Sequence, residues 1–148
     1  MDPTIWGPKL WFVIHTLALN YPDNPNYEQK RLHEDFFNSL VFLIPCDKCR
    51  VHYRQHINNN PVVNHLKDSN TLFKYTIDLH NVVNKTLNKK QYSYEEAVRF
   101  YKIEYGDISV RNSYLNKKTY IGVTILTILC GLGLLIYKKY PKRLINIR

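Results

Sequence analysis

Between Thr4 and Tyr105 the apolar residues recur at three-and-four spacing, and nothing alternates with period two for long enough to be a sheet strand. That pattern confines this part of the chain to helices. Asp2-Pro3 starts the first, with an acid placed to cap it and a proline where the first amide needs no partner. Its pattern runs from Thr4 through Trp11, Ile14, His15, Leu17 and Ala18 to about Asn20, and Pro22, Asn24 and Pro25 break it. A second helix is expected from about Tyr27 to Ile44, with Leu32, Phe36, Phe37, Leu40, Val41 and Ile44 on one face, and Pro45 stops it. The third opens at or near Cys46 and reaches about Ile57, before the loop Asn58-Asn59-Asn60-Pro61. Ser69 or Asn70 caps the fourth and longest, which runs to about Lys90 with Leu72, Phe73, Thr76, Leu79, Val83 and Leu87 inward. Ser93-Tyr94-Glu95-Glu96 fits a capping box, and a fifth helix follows through Val98, Tyr101 and Ile103 to about Tyr105, closed by Gly106. The expected fold is all-α, a four-helix bundle plus a short fifth helix in residues 1–110.

From Tyr120 to Tyr137 eighteen residues carry no charge, and a run of about 17–25 apolar residues suffices to cross a bilayer as a helix. The tyrosines at its ends and the lysines beyond them suit the two interfaces. A transmembrane helix is therefore expected at 120–137, with a linker at 111–119 and a basic tail at 138–148. All twelve acids precede residue 108, whereas Lys138, Lys139, Lys142, Arg143 and Arg148 form an acid-free tail. Of the formal +9, that tail holds five charges, beside the membrane, where acidic lipid is the natural partner. The aromatics do not alternate with basic residues as in a single-strand binding groove, so no nucleic-acid partner is expected. No secretory signal precedes the domain, and a sole anchor near the C-terminus favours a cytosol-facing domain, although the positive-inside rule pulls the other way.

Two of the three cysteines, Cys46 and Cys49, stand two residues apart just after Pro45. At the start of a helix, with Lys48 and Arg50 beside them, they can close a small disulfide ring and favour the thiolate. The same spacing serves zinc, and His52, His56, His65 and His80 supply the partners for a membrane-anchored zinc-binding interaction module. A thioredoxin reading needs a βαβ pattern, which is missing from the sequence. On spacing alone, redox and metal readings both stand.

Three motifs in order lead further: Trp11-x-x-x-His15-Thr16-Leu17-Ala18-x-x-Tyr21-Pro22, Pro45-Cys46-x-x-Cys49-x-x-His52-Tyr53, and His80-Asn81-x-Val83-Asn84-x-x-Leu87-x-Lys89. Together they resemble the FAD-linked sulfhydryl oxidases of the Erv/ALR type over residues 6 to about 105. The opening Trp6-Gly7-Pro8 is most similar to members encoded by large DNA viruses, which implies a viral protein of a virion or host membrane.

The resemblance implies a thiol oxidase that forms disulfides in a dithiol partner protein and passes electrons through Cys46-Cys49 to FAD and then to molecular oxygen, giving hydrogen peroxide. It also implies a homodimer. By position, Cys49 is the flavin-proximal thiol and Cys46 the one that meets substrate. Trp11, His15 and Tyr21 would enclose the flavin; His80, Asn81 and Asn84 would hold the adenine and ribose, with Lys89 near the phosphates. Gly7, His52, Val83 and Leu87 join the cofactor-binding set, and Tyr101 stands where the family usually has a tryptophan. The sequence departs from the family in three places. Pro8 follows Gly7 where many members have arginine, with Lys9 beside it; neither Ile77 nor Tyr94 is the cysteine of an extra structural disulfide; and Cys130 is alone, so no second pair shuttles electrons.

Overall fold

Helix follows helix from Pro3 to Lys139 in the computed structural model, which describes residues 1–139 and the side chains of all of these except 108–114 and 116. The order is α1 (Pro3–Leu19), α2 (Tyr27–Leu43), α3 (Asp47–Asn59), a single 3₁₀ turn (Val62–His65), α4 (Ser69–Thr86), α5 (Tyr94–Glu104) and α6 (Ile108–Lys139). Among the described residues there is no strand. The chain divides into two compact units, Met1–Ala97 and Val98–Arg148, with the division inside α5.

In the first unit, α1 packs chiefly against α4 and α2 against α3, which makes the expected four-helix bundle. Ile14 and Ala18 of α1 meet the same core as Leu72, Phe73, Thr76 and Leu79 of α4, all buried. On the α2 side, Phe37, Leu40, Val41 and Ile44 are buried together with Tyr53 and Ile57 of α3. Polar ends are satisfied inside this core: the Tyr53 hydroxyl donates to the Phe37 carbonyl at 2.9 Å and the Tyr75 hydroxyl to the Asn60 carbonyl at 3.1 Å. Burial pushes the Tyr75 hydroxyl up to about 12 and that of Tyr53 further. Leu32, expected inward, is exposed; on that turn of α2 it is His33 that faces inward, with its ring edge-on to Tyr21.

The helix starts follow local chemistry. Asp2 caps α1 through the Thr4 amide with Pro3 next to it, and Asn26 with Gln29 forms a reciprocal capping box on α2. At α4 the cap is Asp68, which accepts from the Thr71 amide at 2.7 Å, so the expected caps Ser69 and Asn70 are already helical. Ser93 and Glu96 form the expected box on α5. The larger correction is the end of α4, which stops at Thr86 and not near Lys90. Asn88 takes a left-handed conformation, φ 52°, and the Lys89 amide turns back to the Asn84 carbonyl at 2.8 Å. Leu87 is consequently outside the helix and exposed.

In the second unit, Gly106 has φ +83°, and the Asp107 amide bonds the Lys102 carbonyl at 2.8 Å to close α5. Helix α6 then begins at Ile108, so the residues expected as a linker are helical and continuous with the apolar run. Lys117–Lys139 is long and apolar enough to cross a membrane, and its side chains are exposed. The basic tail beyond Lys139 lies outside the described residues.

Candidate active site

Cys46 is the N-cap of α3 and is joined to Cys49 by a disulfide, with Cα atoms 5.2 Å apart. Pro45 ends α2 and leaves Cys46 extended, so the two sulfurs flank the first turn of a new helix. The Cys49 amide donates to Cys46 Sγ at 3.2 Å, one of the helix's unpaired N–H groups spent on sulfur. Arg50 is engaged by the Asp47 carboxylate and by the Ile44 carbonyl at 2.8 Å, which ties the α2 end to the α3 start. Both cysteines are half-buried, and His52 is exposed on the next turn. A disulfide offers no thiolate to zinc, and among the described residues no group of three His, Cys, Asp or Glu side chains is placed to hold a metal. The geometry does not support the zinc module.

A second cluster lies between α1 and α4. Gly7, Trp11 and His15 fall on one face of α1 at four-residue spacing, and Thr76, His80 and Asn84 do the same on α4. The rings of Trp11 and His80 stack with centroids 4.2 Å apart and planes 8° from parallel, and His15 stacks with His80 at 5.3 Å. At Gly7, one turn before Trp11, nothing lies within 4 Å of where a side chain would begin.

Hydrogen bonds fix the direction of this cluster. Thr76 Oγ1 donates to the Phe73 carbonyl at 2.7 Å, so it is left to accept from His15 Nδ1 at 2.8 Å. With its proton on Nδ1, neutral His15 offers Nε2 as an acceptor, and His80 Nδ1 donates to it at 3.1 Å. His80 is thus left with Nε2 as an acceptor. Burial and then the facing His80 hold His15 down to about 3; burial and then Lys89 hold His80 to about 4. Both imidazoles are neutral near pH 7. Thr76 sets this order and was read from the sequence only as a core position, since spacing reports which side faces inward and not what a hydroxyl bonds.

The remaining expected residues are placed variously. Asn84 is buried and Val83 half-buried on α4. The Asn81 amide is spent on the backbone of Tyr92, donating to its carbonyl at 2.8 Å and accepting from its amide at 2.9 Å, so it fixes the 88–93 connection. Lys89 is exposed just past the left-handed turn. Tyr21 is away from the rings: its hydroxyl donates to the Leu66 carbonyl at 3.1 Å and its ring meets His33 edge-on. Tyr101, in the second unit, is buried and stacked with Tyr105 at 6.3 Å.

Residues 8–105 match the Erv1 / Alr family. The chain belongs to that family. It is 43% identical over 99 residues to a probable FAD-linked sulfhydryl oxidase of Acanthamoeba polyphaga mimivirus, covering 66% of this chain and 69% of the relative. An FAD-linked sulfhydryl oxidase of African swine fever virus is 35% identical over 107 residues, covering 68% and 88%. Among solved structures, the yeast Erv1 core has a TM-score of 0.62 at 25% identity, covering 72% of this chain and 86% of that one. The FAD binding domain of Erv1 from Saccharomyces cerevisiae has a TM-score of 0.60 at 28% identity, covering 63% and 87%. In this Erv1/Alr domain the family's helical fold carries both the disulfide and the ring cluster.

Proposed function

We propose that this chain is an FAD-dependent thiol oxidase that takes electrons from a dithiol protein and delivers them to molecular oxygen, with hydrogen peroxide as product. The observation that carries this reading is the Cys46–Cys49 disulfide, closed over the first turn of α3 within a domain of this family. The residues present fit the cofactor. Half-buried Trp11 and His80 stack face to face over buried, neutral His15, an aromatic stack suited to packing against a further ring system, beside open space at Gly7. On the first turns of the same helix, Trp6 Nε1 is a buried donor with no partner among the described residues. Trp11, His15, His80, Asn84 and Val83 would hold the group, with Lys89 near its phosphates, Gly7 leaving room and Asn81 fixing the adjacent connection. Tyr21, His52, Leu87 and Tyr101 are kept as outer members of the set on resemblance alone. FAD, when bound, supplies the two-electron acceptor that reoxidises the thiol pair.

The chain's own share is sulfur chemistry. A substrate thiolate attacks Cys46, which stands at the helix tip after the exposed Pro45, and Cys49 leaves as the thiolate. Cys49 lies one turn before buried Tyr53 on the inward side of α3, and is assigned the cofactor-facing role. The C-terminal apolar helix is assigned as a membrane anchor, with the domain on the cytosolic side and a viral setting like that of the relatives named above. A homodimer is assigned on the resemblance.

The test is the visible spectrum of the purified full chain in detergent. A flavin band that bleaches with dithiothreitol without air, returns with air, and bleaches at least about a hundredfold more slowly in Cys49→Ser is the expected result. A folded, colourless protein carrying stoichiometric zinc would falsify the reading.

A further inference from the structure

We propose that the tip of the α2–α3 hairpin is a docking face for a polypeptide segment whose cysteine pair is flanked by apolar and acidic residues. The proposal rests on the thiol-oxidase reading and names the class of substrate that reading leaves open. Phe42 and Leu43, on the last turn of α2, are 74% and 69% exposed, and Val51 on α3 is 52% exposed. None of the three belongs to the core, whose α2 contribution is Phe37, Leu40, Val41 and Ile44. Phe42 and Leu43 precede Cys46 by four and three residues, and Val51 follows Cys49 by two, so the apolar side chains bracket the disulfide in sequence on both helices.

Charge selects the partner. Arg50 is engaged by Asp47 and the Ile44 carbonyl, which offsets the one acid of this tip. Lys48 is exposed, and Arg54 lies over the Phe42 ring at 5.8 Å. Neither makes an ion pair among the described residues. A guanidinium held over an aromatic ring by cation–π attraction keeps N–H donors available to a carboxylate. The tip thus presents apolar surface and two unmatched positive charges around a disulfide, and its complement is an apolar, acidic, thiol-bearing chain.

Docked there, the segment's first thiolate attacks Cys46 Sγ, the Cys46–Cys49 bond breaks and Cys49 leaves as the thiolate. The second thiolate attacks the segment's own first sulfur, which closes its disulfide and releases Cys46 as a thiolate, received by the Cys49 amide that already donates to Cys46 Sγ. The segment loses two electrons and the protein disulfide gains them, while the segment's two protons pass to the Cys46 and Cys49 thiolates or to water.

The experiment measures kcat/KM of the full chain in detergent for three reductants: dithiothreitol, a synthetic dithiol peptide with Phe, Leu and Glu flanks, and the same peptide with Lys replacing Glu. The expected result is a preference of about tenfold or more for the acidic peptide over the basic one. Phe42→Ala with Leu43→Ala should lower kcat/KM for the acidic peptide, relative to dithiothreitol, by about tenfold, and Arg54→Glu, which leaves Lys48 as the one unmatched cation beside a new acid, should abolish the charge preference. If wild-type protein oxidises no thiol, the thiol-oxidase reading fails and the docking face with it. If dithiothreitol is oxidised but the two peptides are oxidised equally well, the docking face alone fails. An equal loss for all three reductants in the variants assigns the patch to the fold and overturns the proposal. So does retained peptide selectivity in the variants alongside lost self-association, which assigns the patch to a second copy.

Discussion

Thr76 has no exposed surface, yet its hydroxyl orders two rings on two helices: it spends its proton on the Phe73 carbonyl and takes one from His15, which in turn takes one from His80. Thr76→Val removes that acceptor while keeping the shape, so the Nδ1 proton of His15 loses its partner. We expect about 1–3 kcal/mol lower stability. The ¹⁵N chemical shifts of His15 and His80 should move toward a mixture of tautomers, and Thr76→Ser should restore them. The two imidazoles also give a pH dependence. Their folded pKa values, about 3 and about 4, lie below the ordinary 6.5, so under acid the unfolded chain binds protons that the folded one refuses. The sign follows: their effect is nil above about pH 6.5, and stability falls progressively as pH drops from there toward 4 and 3. Urea unfolding midpoints between pH 7 and pH 4 should show this slope, and His80→Gln should flatten it. Trp11, His15 and His80 were legible in the sequence as residues of one motif set. Thr76 was not, because a hydroxyl inside an apolar stripe carries no periodic signature.

Helix starts were easier to read than helix ends. Caps at Asp2 and Ser93 use a side chain and a proline or glutamate at fixed offsets, which sequence displays directly. The end of α4 depends on Asn88 adopting a left-handed backbone, which only a folded turn reveals, and the apolar spacing through Val83 and Leu87 runs on past it. Asn88→Val should cost about 1–2 kcal/mol, because a β-branched residue resists that conformation, whereas Asn88→Gly should be neutral or stabilising. Thermal unfolding of the two variants decides it, and equal melting temperatures would rule out the turn as the stopper. Gly106 closes α5 by the same device and was legible, since glycine announces it.

For the whole chain, composition and period were enough for an all-helical bundle followed by an apolar helix, and the ordered motifs were enough for the family. What they missed was the joint. Residues 111–119 have no apolar stripe and read as a linker, yet with α5 ended at Gly106 and no proline or glycine before Gly122, nothing stops a helix from starting at Ile108. A charge at the middle of the apolar helix costs about 2.5–3.5 kcal/mol in a bilayer. Leu129→Lys should therefore shift the full chain away from co-flotation with lipid vesicles, and unchanged flotation would exclude the span as the anchor. An unbroken α6 also makes the tether a rod in place of a leash. Residues 108–116 rise about 14 Å as a helix before the apolar segment begins. Placed in a bilayer as proposed above, that stretch would give Ile108 a set stand-off from the lipid, where a flexible linker of the same length would give a range.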